Sequence, residues 1–245
     1  MKKLMLVIFV CTVTISTSYA QFNWNKKPMN LKVLPDTTSG ETVRHIMIGF
    51  AQALGVRCSF CHDDSKGKEF SDIDFPSDAK PEKETAREMM KMMGAINNNF
   101  LSKLKKGDND NVMRVKCITC HRGYHEPIEL SALLTKTYQK SGLDASMERY
   151  DKLKEQYYGG YAFNFQQNSL DTFGKNLLDM GASNDALTVL KKNAELFPDW
   201  AGAYESLGDA NVKLGNKEEA IKDYKKAIQM NPMDRRVQEK LDNLE

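Results

Sequence analysis

Cysteine and histidine are scarce in this chain, and neither sign of charge dominates it. Five cysteines and four histidines occur among 245 residues, and so few cysteines are sparse for a disulfide framework. The formal net charge of +2 makes no electrostatic case for binding nucleic acid or an anionic membrane. No apolar run beyond the N-terminus is long enough to span a bilayer. The composition therefore indicates a globular protein, with one large domain or two smaller ones.

The N-terminus has the three-part layout of a secretory signal peptide. Two lysines precede an apolar run from Leu4 to about Val13, and small and polar residues then lead to Ala20. This run falls short of the ~20 apolar residues that a membrane-spanning helix needs. We therefore expect cleavage after Ala20, a periplasmic or secreted location, and no integral membrane span after cleavage.

The four cysteines that remain after cleavage all belong to two copies of Cys-x-x-Cys-His. The first reads "VRCSFCHDD" at residues 56–64, and the second, "VKCITCHRG", follows 59 positions later. The motifs contain Cys58, Cys61 and His62, and Cys117, Cys120 and His121. No cysteine of the mature chain lies outside them.

Three chemistries use cysteine pairs of this kind. In covalent haem attachment each thiol adds to a haem vinyl group and the adjacent histidine is the proximal iron ligand. A zinc site could use four thiolates from two pairs, but the typical spacer of roughly 15–20 residues is much shorter than the one here. A redox-active disulfide has no use for a histidine beside both pairs. Two full motifs on an exported chain favour haem.

Each motif follows a predicted helix that carries methionine, a common second axial ligand of haem iron. The first helix covers residues 41–54, stops at Gly55 and places Met47 on its apolar face. His45 falls off that face, where we expect a solvated side chain. The second helix is predicted from Pro81 to about Lys105, after a polar loop over residues 63–81. Its candidates are Met89, Met90, Met92 and Met93, most of which must fill the core because one iron uses one methionine.

The stretches "MIGFAQALGVRCSFCH", "AREMMKMMGAINNNF" and "CITCHRG" together resemble the cytochrome c subunit of photosynthetic reaction centres and its wider family. The resemblance covers about residues 40–127. It implies c-type haems in a helical module, with the motif histidine as proximal ligand and a methionine of the preceding helix as distal ligand. Carried over by position, Met47 pairs with His62 and Met89 with His121. Met92 or Met90 is the alternative to Met89. For Met90 the reason is an internal repeat, because the helix starts "ETVRHIM" at residue 41 and "ETAREMM" at residue 84 align Met90 with Met47.

This chain departs from the family in two respects. The reaction centre subunit usually carries four haems, whereas two attachment motifs occur here, and Lys103 stands where the family has a histidine for a distant haem. The resemblance therefore supports a haem module but gives little warrant for a photosynthetic partner. A C-terminal repeat region is also foreign to that subunit.

The C-terminal repeat has the tetratricopeptide period of 34 residues. Four residue pairs keep this spacing: Gly174 and Gly208, Gly181 and Gly215, Ala186 and Ala220, and Pro198 and Pro232. The second copy, "AYESLGDANVKLGNKEEAIKDYKKAIQMNP", resembles the family motif, and residues 234–245 fit a polar-faced capping helix. The preceding "MERYDKLKEQYYGGYAF" predicts a helix that stops at Gly159-Gly160 and joins the stack.

The sequence thus predicts an all-α protein in which a small helical dihaem c-type cytochrome domain precedes a tetratricopeptide-like stack of helical hairpins. The expected segments are a signal peptide (1–20), the cytochrome domain (21–130), a helical linker (131–165) and the repeat region (166–245). Two covalently bound haem c groups would carry electrons between redox partner proteins, and the repeat region would dock proteins. The alternative is a haem enzyme, a peroxidase or small-molecule reductase, with one five-coordinate haem.

Overall fold

The computed structural model describes residues 26–67, 69–104 and 113–245, and regular structure in these ranges is helical. The one exception there is an isolated antiparallel bridge between Asp63 and Asp74. The all-α prediction is therefore confirmed. The predicted signal peptide lies outside the described residues, as does the polar stretch "KKGDNDN" (105–111) before the second motif. Within the described ranges, no helix is both long and apolar enough to cross a membrane.

Two helices precede the attachment motifs, as predicted. Helix α1 spans Gly40–Leu54 and is followed by Gly55, whose φ of +66° is favourable for glycine. Helix α2 begins at Pro81, as the sequence predicted, but its α-helical part ends at Ala95. The chain continues through a π turn, Ile96–Phe100, and a 3₁₀ turn, Leu101–Lys103. The "INNNF" segment departs from α geometry because asparagine has low helix propensity and the Asn97 side chain bonds a distant backbone segment.

The predicted loop after the first motif is irregular apart from a short 3₁₀ turn at Phe70–Asp72. The second motif forms a short helix, α3, over Cys117–His121.

Helix α4 (Leu130–Tyr157) breaks at Gly142, which has φ 78° and ψ −174°. The Ser146 hydroxyl donates to the Leu134 carbonyl at 3.2 Å. In a straight helix residues twelve apart are separated by ~18 Å, so the chain reverses at Gly142 and its two segments lie side by side. The second segment ends before Gly159, as predicted, but the hairpin was not foreseen.

The tetratricopeptide-like part consists of helices α5 (Gln167–Asp179), α6 (Ser183–Leu196), α7 (Ala201–Lys213) and α8 (Lys217–Met230), followed by α9 (Arg235–Asp242). Gly174 and Gly208 permit close packing within the two hairpins. A Cβ atom on Gly174 would lie 2.6 Å from the Leu190 side chain, and one on Gly208 would lie 2.3 Å from the Tyr224 ring. The 34-residue glycine register therefore reflects helix contacts, and α9 occupies the predicted capping position.

The hydrophobic core lies in the C-terminal part of the chain. One cluster joins the α4 hairpin to α5 and α6, and includes Leu134, Tyr150, Phe173 and Leu177. A second cluster joins α6 to α9, and includes Leu190, Leu207, Tyr224 and Leu241. The helical segment over residues 131–165 therefore packs with the helical stack, which its second helix was expected to join.

The chain divides into two compact units. The first consists of the residues up to Ala51 together with Arg57–Val115, and the second of Gln52–Val56 together with Lys116–Glu245. The second attachment motif thus groups with the C-terminal helices. The end of the cytochrome domain near residue 130 remains a prediction.

Candidate functional site

The first motif forms a tight turn that gathers its three functional side chains. Residues Cys58–Phe60 are 3₁₀-helical, and the Cys58 carbonyl accepts hydrogen bonds from the amides of Cys61 at 3.2 Å and His62 at 3.0 Å. Side chains three and four positions apart on a helical turn lie on the same face. Both thiols and the imidazole can therefore bind the same group on one side of the turn.

The His62 ring is oriented by a backbone carbonyl thirteen residues away. Its Nδ1 lies 3.1 Å from the carbonyl oxygen of Phe75, and its ring packs edge-on against the Phe75 ring at 5.0 Å. A carbonyl oxygen can only accept, so Nδ1 carries the proton and the Nε2 lone pair remains for a metal. Burial, and next the Lys83 charge, lowers the pKa of His62 and so favours this neutral form.

The second motif repeats this arrangement, but the carbonyl that orients its histidine is only three residues away in the sequence. In α3 the Nδ1 atom of His121 lies 3.2 Å from the carbonyl oxygen of Tyr124. Arg122, in the left-handed conformation with φ 52°, ends the helix, and the Tyr124 amide bonds the His121 carbonyl at 2.9 Å. Both motif histidines are thus held at Nδ1 by a backbone oxygen, the usual support of a metal-binding imidazole.

All four motif cysteines are free thiols, partly or largely exposed. Burial is the main cause that raises the pKa of Cys61, with a further contribution from Glu82, and burial likewise raises the pKa of Cys117. The described structure thus gives no sign of a redox-active disulfide. Free thiols one helical turn apart are what covalent attachment at two points requires.

Sequence reasoning missed Asn97, which fixes the chain just before the second motif. This side chain is buried; its amide donates to the Val115 carbonyl at 2.9 Å, and its oxygen accepts from the Val115 amide at 2.8 Å. π turns recur at functional sites. The only sequence signal was a run of asparagines interrupting an apolar helical face.

The candidate distal ligands differ in exposure. Met47 is half-buried on α1, and His45 is exposed beside Glu41, in agreement with its predicted solvation. On α2, Met89 is 43% exposed and Met92 49% exposed, whereas Met90 and Met93 are half-buried. The assignment of Met47 and Met89 as ligands remains a prediction.

The first unit has no hydrophobic core of its own among its described residues. Its two buried side chains, Arg87 and Asn97, are polar. Large apolar side chains are instead left exposed, including Ile48, Met89, Met92, Phe100 and Leu104. A fold with so little buried apolar surface is difficult to stabilise by protein contacts alone. These residues fit a large apolar cofactor held by the motif cysteines.

The zinc alternative finds no support in the part of the chain that the structure describes. No group of three or more His, Cys, Asp or Glu side chains there is placed to hold a metal ion.

Comparison with known proteins agrees with this geometry. Residues 23–139 match the family model "Photosynthetic reaction centre cytochrome C subunit", and residues 201–234 match the tetratricopeptide repeat. The N-terminal region is therefore similar to the cytochrome c subunits of this family. The similarity indicates covalently bound haem c, and the tetratricopeptide match indicates a protein-interaction region.

Curated relatives share this cytochrome module. The photosynthetic reaction center cytochrome c subunit of Rubrivivax gelatinosus is 29% identical over 135 residues, which cover 50% of this chain and 35% of that protein. The corresponding subunit of Thermochromatium tepidum is 29% identical over 100 residues, covering 38% and 23%. Cytochrome c-554 of Chloroflexus aurantiacus is 28% identical over 101 residues, covering 41% and 22%. The chain thus spans about a third or less of these relatives' own length.

Two solved structures match a little under half of this chain. MamA has a TM-score of 0.34 at 29% identity, covering 44% of this chain and 60% of MamA. The first TPR of Spaghetti (RPAP3), solved bound to an HSP90 peptide, has a TM-score of 0.35 at 18% identity, covering 47% and 86%.

Proposed function

We propose that the protein is an exported dihaem c-type cytochrome that carries electrons between redox partner proteins. The observation that carries the proposal is the repeated geometry of the two motifs. Each has two free thiols one helical turn apart and a histidine whose Nδ1 is held by a backbone carbonyl. Such an imidazole is oriented to bind iron through Nε2.

In this proposal Cys58 and Cys61 anchor one haem, and Cys117 and Cys120 anchor the other. His62 and His121 are the proximal ligands. Met47 and Met89 are the distal ligands by the family register, with Met92 or Met90 as the alternative to Met89. The supporting features are the helical turns of the motifs and the partly exposed methionines on the preceding helices.

We infer electron transfer rather than catalysis because each haem iron has a second axial ligand available. A methionine is available on the helix before each motif, so each iron can be six-coordinate and closed to substrate. A methionine ligand also raises the reduction potential. A haem enzyme would need one iron with an open position in its working state.

Export is supported by the N-terminal sequence and by the chemistry of haem attachment. Covalent attachment takes place outside the cytoplasm in bacteria-like systems. We therefore place the mature protein in the periplasm or outside the cell. The expected N-terminal residue of the purified protein is Gln21, which terminal sequencing by mass spectrometry checks.

The helices from α4 onward provide the docking region for a redox partner protein. Tetratricopeptide stacks present an extended concave surface and need about three stacked units for stability. The α4 hairpin shares one hydrophobic cluster with α5 and α6. It therefore supplies the third hairpin that the two sequence repeats lack.

Haem content and ligand exchange test the proposal together. Intact mass and a pyridine haemochrome spectrum should show two c-type haems per chain. The reduced protein should bind carbon monoxide slowly and weakly, because both irons are already six-coordinate. A chain that carries zinc and no haem would refute the cytochrome, whereas fast and tight carbon monoxide binding at one haem would favour the enzyme.

A further inference from the structure

The ammonium group of Lys83, in the first turn of α2, is surrounded by backbone carbonyls. Its Nζ donates to the carbonyl oxygens of Phe75 and Pro76 at 2.9 Å and of Ser77 at 2.7 Å. The side chain is 12% exposed, and Asp78 pairs with it at 3.1 Å. All three ammonium protons therefore have carbonyl acceptors, and the positive charge is held in one place.

One of these carbonyls is the oxygen that orients His62. The Phe75 oxygen accepts from Lys83 Nζ at 2.9 Å and lies 3.1 Å from His62 Nδ1. A carbonyl has two lone pairs and can accept both bonds. A cation on the same oxygen makes it a poorer acceptor for the imidazole N–H, so the imidazole donates less electron density to a metal at Nε2.

We propose that Lys83 is a positioning residue that raises the reduction potential of the haem bound at Cys58, Cys61 and His62. This inference rests on the proposed dihaem function. Two effects act in the same direction: the ammonium charge disfavours the more positive oxidised iron, and the shared carbonyl weakens the ligand that stabilises it.

Among the described residues, the second motif has no lysine that plays the part of Lys83. The carbonyl that orients His121 belongs to Tyr124, and within the described residues no lysine or arginine donates to it. Arg149 bonds the Tyr124 hydroxyl at 2.7 Å, at the far end of the side chain. Lys83 therefore makes two otherwise similar centres unequal, and favours the first as the place where a single electron resides.

The expected effect is moderate because Asp78 partly compensates the charge. An order-of-magnitude Coulomb estimate for a partly compensated charge is about a three- to tenfold change in the reduction equilibrium constant. A tenfold change is ~59 mV for one electron.

The test is a spectroelectrochemical titration of holoprotein carrying Lys83→Gln, Lys83→Arg or the control Lys66→Gln. Lys66 lies in the loop that follows the first motif and pairs with Asp74 at 3.1 Å on the surface, so its replacement removes one positive charge without touching the Phe75 carbonyl. Each potential is assigned to its haem by ¹⁵N-histidine NMR, which four histidines keep simple. Haem content is measured first on every sample.

We expect Lys83→Gln to lower the reduction equilibrium constant of the first haem about three- to tenfold and to leave the second unchanged. Lys83→Arg should largely keep the reduction potential of the first haem at the value of the unmodified chain, and Lys66→Gln should leave that potential unchanged.

The inference is overturned if Lys83→Gln shifts the potential of neither haem, shifts both equally, or acts no more strongly than Lys66→Gln. A purely structural lysine would lower haem content without moving the midpoint, which also overturns it. Fewer than two haems on the unmodified chain refutes the dihaem proposal, and the absence of haem from the first motif refutes both.

Discussion

Gly55 and Gly123 bring their backbones into direct contact, which no larger residue at position 55 would permit. A Cβ atom on Gly55 would lie 2.0 Å from the carbonyl oxygen of Gly123. The Gly123 amide donates to the carbonyl of the buried Ala53 at 2.9 Å. The residues that end α1 are thereby joined to the residues that follow the second attachment motif, within the second compact unit.

Replacing Gly55 with alanine should destabilise the holoprotein. The new methyl group would collide with backbone, and alanine would have to adopt a φ of +66°. We expect a loss of about 1–3 kcal/mol in the free energy of unfolding, measured by denaturant titration. Gly49→Ala, on α1 with open space around the new Cβ, is the control and should be neutral or stabilising. Equal effects of the two changes would argue against the close approach.

Loss of haem should unfold the first compact unit and spare the second. The first buries no apolar side chain among its described residues, whereas both hydrophobic clusters lie in the second. In the full chain carrying Cys58→Ala, Cys61→Ala, Cys117→Ala and Cys120→Ala, limited proteolysis should cleave within the first unit, residues 26–51 and 57–115, and preserve α5 to α9. A cooperative, native-like melt of the first unit in this variant would contradict the expectation.

Substitution of single methionines on α2 should show whether Met89 is the distal ligand of the second haem. Met89→Leu should shift the spectrum and the potential of the second haem, because a thioether ligand is lost. Met92→Leu is the matched control on the same helix, with a similarly exposed side chain, and should change neither. Visible spectroscopy and redox titration of both holoproteins decide between them. The opposite pattern would move the ligand to Met92.

The acid side of the stability profile should depend on Glu205. Burial acts to raise its pKa, but hydrogen bonds from Arg236 and Lys240 outweigh burial, and the pKa falls below its ordinary value. A depressed carboxyl pKa stabilises the fold above the unfolded-state value of about 4.3, and this contribution is lost as the pH falls through the folded pKa.

Glu205→Gln should therefore cost stability at pH 7 and flatten its decline below about pH 4. The expected loss at neutral pH is about 1–3 kcal/mol, since charged hydrogen bonds of a buried group are removed. The control is Glu239→Gln on the exposed face of α9, which should leave the profile unchanged. Thermal unfolding from pH 7 to pH 3 compares the variants. Parallel curves for Glu205→Gln and the unmodified chain would rule out the contribution.

Local spacing was enough to predict much of this protein. The Cys-x-x-Cys-His motifs predicted the attachment chemistry because their side chains lie within a single helical turn. Gly55 marked the end of α1 because a left-handed residue favours glycine, and the 34-residue glycine register marked the helical hairpins because Gly174 and Gly208 occupy equivalent contacts.

Contacts between residues distant in sequence were decided only by the tertiary structure. The carbonyl that orients His62 is thirteen residues away, and the Asn97 side chain bonds Val115 across eighteen residues. The reversal at Gly142 depends on the packing of its two flanking segments, and it made a third hairpin out of a predicted linker. Such hydrogen bonds and packing contacts leave no periodic pattern along the chain, because their partners come together only when it folds.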